Sequence, residues 1–199
     1  MNSVNHKYHH GNLRDEILTA AYNFVLENGY AAMSLRSIAE NCNVSATAIY
    51  RHYKTKEHLL ADVVVKGFIE FNLFVEGDSE ANIFDKCDNY LEFAFDNKNI
   101  YDLLFSQSVV EFLQFPNILE VADSSFQTLL ESVKEHDRSL NDLSASNKAI
   151  HIWSFLHGIS SISKKMDVAL SLPDSEMPIP VRSVKRARSN LRQFIEDLF

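Results

Sequence analysis

Eight side chains between residues 36 and 56 have types suited to contacting a polyanion: Arg36, Ser45, Ala46, Thr47, Tyr50, Arg51, His52 and Lys56. Six of them, Ser45 to Thr47 and Tyr50 to His52, fall at or near the exposed side of one short predicted helix. Lys56 stands at the start of the next. Guanidinium, ammonium and hydroxyl donors grouped in this way hydrogen-bond phosphate, and a helix N-terminus adds free N–H groups toward an anion. The bland alternative is a short amphipathic helix pair inside an ordinary bundle.

Enzymatic chemistry finds little support. The five glycines (11, 29, 67, 77, 158) are isolated, which excludes a GxGxxG turn or a Walker loop. No CxxC or HExxH spacing occurs. His6, His9 and His10 suit a basic arm better than a metal site. His151 and His157 are six apart and share a helix face poorly. No cofactor and no catalytic residue is expected.

Caps and periods place the elements. Asn12 can cap a helix running to Asn28, with Leu13, Ile17, Ala20, Ala21, Phe24 and Val25 as its apolar stripe and Gly29 as its left-handed stop. Ser34 caps a helix ending near Asn41. Asn43 sits in a turn that wants positive φ, which Asn tolerates. Ser45 caps the third helix and Thr55 a fourth, which ends near Gly77. Leu35, Ile38, Ala39, Val44, Ile49 and Tyr53 fall where two crossed helices meet. Further helices are expected over 79–97, 99–113, 117–136, 146–166 and 183–199. Strand signals are weak. The fold class expected is all-α: an N-terminal three-helix head over 1–56 with a flexible arm, then a helical body over 57–199.

The chain has 199 residues and a net charge of −8. Its distribution matters more than its sum. Residues 1–56 carry six basic and four acidic side chains, a net of +2, which leaves −10 for the rest. A mildly basic head on an acidic body suits contact with phosphate at one end, doubled in a dimer. No run of about 18 apolar residues and no signal peptide are visible. Cys42 and Cys87 lack metal spacing and read as thiols of a cytoplasmic protein.

YHHGNLRDEILTAA followed by MSLRSIAENCNVSATAIYRHYKTKEHLL resembles the N-terminal domain of the TetR family of bacterial transcription regulators, over roughly residues 8–65. The resemblance implies that the helix at Ser45–Tyr53 enters a DNA major groove. By position it implies that Ala46, Thr47, Tyr50 and Arg51 face bases or adjacent phosphates. Tyr50, His52 and Lys56 are implied as phosphate contacts. Arg36 is implied to reach a base edge or phosphate, and Lys7 in the arm the minor groove or backbone. Asn43 departs from the glycine common in the turn. Ala46 and Ala48 depart from longer or hydroxylated residues, so a thymine methyl contact from Ala46 is expected.

In the last helix Val184, Ala187, Leu191, Phe194 and Leu198 recur at heptad spacing, suited to a partner helix or to the chain's own core. The segment IHIWSFLHGISSIS mixes small and bulky residues and is similar to the tryptophan–histidine–glycine type of TetR C-terminal domain. The resemblance implies a homodimer through Trp153, Leu156, Val184, Ala187, Leu191, Phe194 and Leu198, and hence a palindromic operator in double-stranded DNA. It also implies a pocket for a small-molecule effector. Phe68, Phe71, Tyr101, Phe105, Phe112, Phe126 and Trp153 are its candidate lining, though core packing explains most of the aromatics. The function expected is a repressor released by a hydrophobic or aromatic ligand. The alternative is a body that binds a protein partner instead.

Overall fold

The computed structural model describes residues 13–105 and 115–199. Every regular element among them is helical. They run as α1 (Leu13–Asn28), a 3-10 turn (Tyr30–Ala32), α2 (Leu35–Asn41), α3 (Ala46–His52), α4 (Lys56–Glu76), α5 (Ile83–Asp96) and α6 (Lys98–Phe105). After them come α7 (Pro116–His136), α8 (Asp142–Lys165), α9 (Asp167–Leu170), α10 (Ile179–Ser189) and α11 (Leu191–Glu196). The chain forms two compact units. One is built from the described residues of Met1–Gly67 and Asn99–Ile118, the other from Phe68–Lys98 and Leu119–Phe199. The expected helix over 99–113 is seen as far as Phe105. The rest of that segment, like Asn12, lies outside the described residues.

In the first unit α1, α2 and α3 close over one core. Ile17, Val25, Ile38, Ile49, Leu59 and Val63 are fully buried. Burying one such side chain contributes roughly 1.5–3 kcal/mol. Ala39 is the small residue that lets α2 and α3 cross closely. Gly67 serves the same end against α6: a methyl group there would stand 3.0 Å from Leu104 Cδ2. The Asn99 amide donates to the Leu26 carbonyl at 3.0 Å and ties the start of α6 to the end of α1.

In the second unit α5 packs on α8 and α11, and α10 packs on α8. Ala145, Ala149, Ile152 and Leu156 form the inner stripe of α8. Phe71 meets Tyr90 and Phe93 edge-on at 5.3 and 5.2 Å, the geometry that aromatic quadrupoles prefer.

Two expectations about boundaries are corrected. α8 begins at Asp142, not Ser146, because the Asn141 side chain accepts from the Ser144 amide at 2.9 Å and caps it. Ala145 in its first turn is already fully buried, while Leu143 is 72% exposed, so no inward apolar stripe marks the start. The single last helix is in fact two. α10 starts at Ile179, with Pro180 in the first turn, where its missing N–H costs nothing. It breaks at Asn190, whose side chain turns back to the Arg186 carbonyl.

Candidate nucleic-acid interface

The turn between α2 and α3 is held by local bonds. Ser34 and Ser37 exchange hydrogen bonds, each accepting at 3.0 Å from the other's amide, which fixes the start of α2. Asn43 takes φ of 53°, and the Val44 amide returns to the Ala39 carbonyl at 3.0 Å. Ser45 Oγ accepts from the Ala48 amide at 3.2 Å and starts α3. The pivot of α3 is Ile49, fully buried. Its outer face is thereby fixed: Ser45, Ala46, Thr47, Tyr50, Arg51 and His52 are all exposed, Tyr50 at 55%. Arg36 lies on α2, exposed, with a 3.4 Å ion pair to Glu40. Lys56, at the start of α4, is half-buried and reaches the Ala31 carbonyl at 3.4 Å. Lys7 lies outside the described residues.

The orientation of α3 relative to α4 rests on a cluster the sequence reading missed. Tyr53, which ends α3, donates its hydroxyl to Asp62 Oδ2 on α4 at 2.9 Å. Arg14 of α1 donates to the same oxygen at 2.9 Å, with its Nε 3.4 Å from the Tyr53 hydroxyl. The Arg14 guanidinium also lies 5.4 Å from the centre of the Tyr53 ring. The hydrogen bonds to Tyr53 and Asp62 raise the affinity of Arg14 for its proton. Burial pushes the Tyr53 phenol up to about 12. Both groups therefore hold their protons, and the cluster stays intact, across neutral pH. The available signal was Asp62 itself, the one charged side chain in the run LLADVVV.

The other candidate residues fall as follows. In the first unit Tyr101 is buried and Phe105 half-buried, their rings 4.7 Å apart. In the second, Phe68 and Phe71 are buried, and Phe126 and Trp153 half-buried. Phe112 lies outside the described residues. Leu156, Val184, Ala187 and Leu191 are buried within the chain itself, Leu198 is half-buried and Phe194 is 40% exposed. The inner stripe of α10 and α11 runs Val181, Val184, Ala187, Leu191 and Ile195, which leaves Phe194 outside, stacked on Phe155 at 5.6 Å. Among the described residues there is no cluster of side chains able to hold a metal ion, and no helix is long and apolar enough to cross a membrane.

Residues 17–63 match the family described as bacterial regulatory proteins, tetR family. Residues 83–176 match the tetracyclin repressor-like C-terminal domain. Comparison with curated protein sequences finds no match. Among solved structures, a protein of unknown function from Rhodococcus sp. RHA1 is similar at TM-score 0.68 and 20% identity, covering 92% of this chain and 95% of that one. The regulator FadR from Bacillus subtilis, in complex with stearoyl-CoA, is similar at TM-score 0.61 and 20% identity, covering 88% and 97%. BioQ with its double-stranded DNA operator is similar at TM-score 0.56 and 12% identity, again covering 88% and 97%. At these identities the likeness to the solved structures is one of fold. The two family matches, on the helix-turn-helix head and on the helical remainder, make this chain a member of the TetR family of bacterial transcription regulators.

Proposed function

We propose that the protein is a homodimeric repressor that holds a palindromic operator through α3 and releases it when a small hydrophobic or aromatic ligand binds. The observation that carries this reading is the face of α3. Thr47, Tyr50, Arg51 and His52 stand exposed on a helix anchored by buried Ile49 and by the Tyr53–Asp62 bond. Exposed polar and aromatic side chains on so firmly held a short helix have no packing duty, and groove reading gives them one. Ala46 would meet a thymine methyl, Tyr50, His52 and Lys56 phosphates, and Arg36 and Arg51 a base edge or phosphate.

Two structural relatives support the partners. BioQ was solved with its double-stranded DNA operator and FadR with stearoyl-CoA. The ligand acts only through a difference in affinity for the two conformations. α4 is the covalent route between them: Lys56 stands at its start, and Phe68 and Phe71 lie three turns or more along the same helix. Two α3 helices then move away from one turn of DNA when α4 does. Phe194, 40% exposed and stacked on Phe155, offers an aromatic face for the partner subunit.

The test is binding of the purified protein to DNA from its own upstream region, at two salt concentrations with excess competitor. Saturable binding of one dimer to a short palindrome is expected. Salt-sensitive binding with no preferred site would overturn the operator reading.

A further inference from the structure

α3 has seven residues, and Ile49 is the one buried within it. A single apolar anchor fixes a point on a short helix but not the direction of its axis, because apolar contact is non-directional. Reading base edges needs both. Recognition groups must be held within about 0.5 Å and 10–20° of the productive geometry. Ser45 and the Val44 amide fix where α3 begins. Its direction is set at the other end.

That end is Tyr53, 2% exposed. Its hydroxyl donates to Asp62 Oδ2 at 2.9 Å. Arg14 donates to the same oxygen through Nη2 at 2.9 Å, and through Nε to the Tyr53 hydroxyl at 3.4 Å. The three bonds close a triangle, with corners on α1, on α4 and at the end of α3. Hydrogen bonds depend on distance and angle, so a closed triangle limits tilting of α3 in a way that packing does not. The ion pair by itself adds little stability. The Arg14 and Asp62 side chains are 62% and 33% exposed, and a pair so open is screened. Its effect is geometric.

We propose that Tyr53, Asp62 and Arg14 are positioning residues that set how sharply α3 discriminates between DNA sequences, without contacting a base. This rests on the operator reading above. Phosphate contacts are independent of sequence and come largely from long, adaptable side chains, whereas base contacts carry specificity. Loosening the axis of α3 therefore spares the first and weakens the second. It does so at every base pair of a half-site together. A residue that touches one base relaxes that position alone.

The probes are duplexes that wild type enriches from a randomised library, and scrambled duplexes of the same composition. Tyr53→Phe keeps the ring and the net charge and opens two sides of the triangle. Arg14→Lys keeps the charge and replaces the planar fork by a single ammonium. For Tyr53→Phe, affinity for the enriched duplex should fall roughly fivefold per half-site, with affinity for scrambled DNA within about twofold of wild type and the salt slope unchanged. Selection repeated with this variant should return the same consensus, weakened evenly across the half-site. Asn99→Ala is the control. It breaks one hydrogen bond between α6 and the Leu26 carbonyl of α1, with no member on α3. It should lower the melting temperature and leave discrimination at the wild-type value. Arg14→Lys decides if Tyr53→Phe does not fold. The proposal is overturned by a folded variant with wild-type discrimination, or by a loss confined to one base pair. An equal loss in Asn99→Ala also overturns it, since the head as a whole would then be loosened. A wild type that enriches no sequence overturns the operator reading and the proposal with it.

Discussion

The Tyr53 hydroxyl and the Asp62 carboxylate meet at 2.9 Å, and Arg14 donates to the same oxygen of Asp62 at 2.9 Å. Three helices of the head are thereby joined at one atom: α1 by its first turn, α3 by the residue that caps its end, α4 by its second turn. Tyr53→Phe keeps the buried ring and removes two hydrogen bonds, the short one to Asp62 and the long one from Arg14. It should cost about 1 kcal/mol in urea unfolding. Asp62→Ala should cost more, because the Arg14 charge and a part-buried hydroxyl lose their shared acceptor. Equal stabilities for wild type and both variants would show that the cluster does not form in solution.

The same cluster sets an alkaline limit. The Tyr53 phenol is pushed up to about 12 from an ordinary 10, chiefly by burial, with Arg14 opposing. Below pH 10 the proton is bound in both folded and unfolded chains, and the contribution is complete. Between 10 and 12 the unfolded chain gives up its proton and the folded one keeps it, so stability falls as pH rises. The buried Cys87 thiol, also pushed up to about 12 by burial, acts in the same sense from about 9. The informative quantity is therefore a difference. Tyr53→Phe should lose less stability than wild type between pH 9.5 and 11.5, and parallel curves would rule the effect out.

Tyr50 and Lys56 separate folding from binding. Tyr50 is 55% exposed, so Tyr50→Ala should change stability by no more than about 0.5 kcal/mol. It should weaken binding to operator and random DNA alike. The Lys56 bond to Ala31 is long, at 3.4 Å, and easily exchanged for a phosphate. Lys56→Ala should therefore lower the slope of log affinity against log salt by about one. An unchanged slope would remove Lys56 from the contact set.

What the sequence reveals follows the range of the interactions involved. The caps at Ser34 and Ser45 and the turn at Asn43 are legible because each is a bond or a dihedral within three or so residues. The exposed face of α3 is legible for the same reason: Ile49 sets it by period alone. Arg14 and Asp62 are 48 residues apart, and nothing local marks them as partners. The break at Asn190 was hidden because the 3-4 spacing runs on across it. After the break the inward position passes from the expected Phe194 to Ile195, which is fully buried, while Phe194 turns out. A period tells which residues share a face only while the helix continues.

That one-residue shift separates the chain's own core from the exposed surface that the proposed dimer would use. Leu191 is 3% exposed in the single chain. Leu191→Ala should cost about 2–5 kcal/mol of stability at any protein concentration, since it leaves a cavity inside one subunit. Phe194 is 40% exposed and stacks on Phe155 at 5.6 Å with 15° between the rings. Phe194→Asp should cost the fold less than Leu191→Ala, yet shift sedimentation toward monomer, because a charge replaces an apolar surface that the proposed second subunit would cover. Doubling of the salt-dependent contacts is lost with the dimer, so operator affinity should fall in step with dimer population. If Phe194→Asp stays dimeric while Leu191→Ala dissociates without unfolding, the partner helix lies on the Leu191 side, and the stripe seen buried here is opened in the dimer.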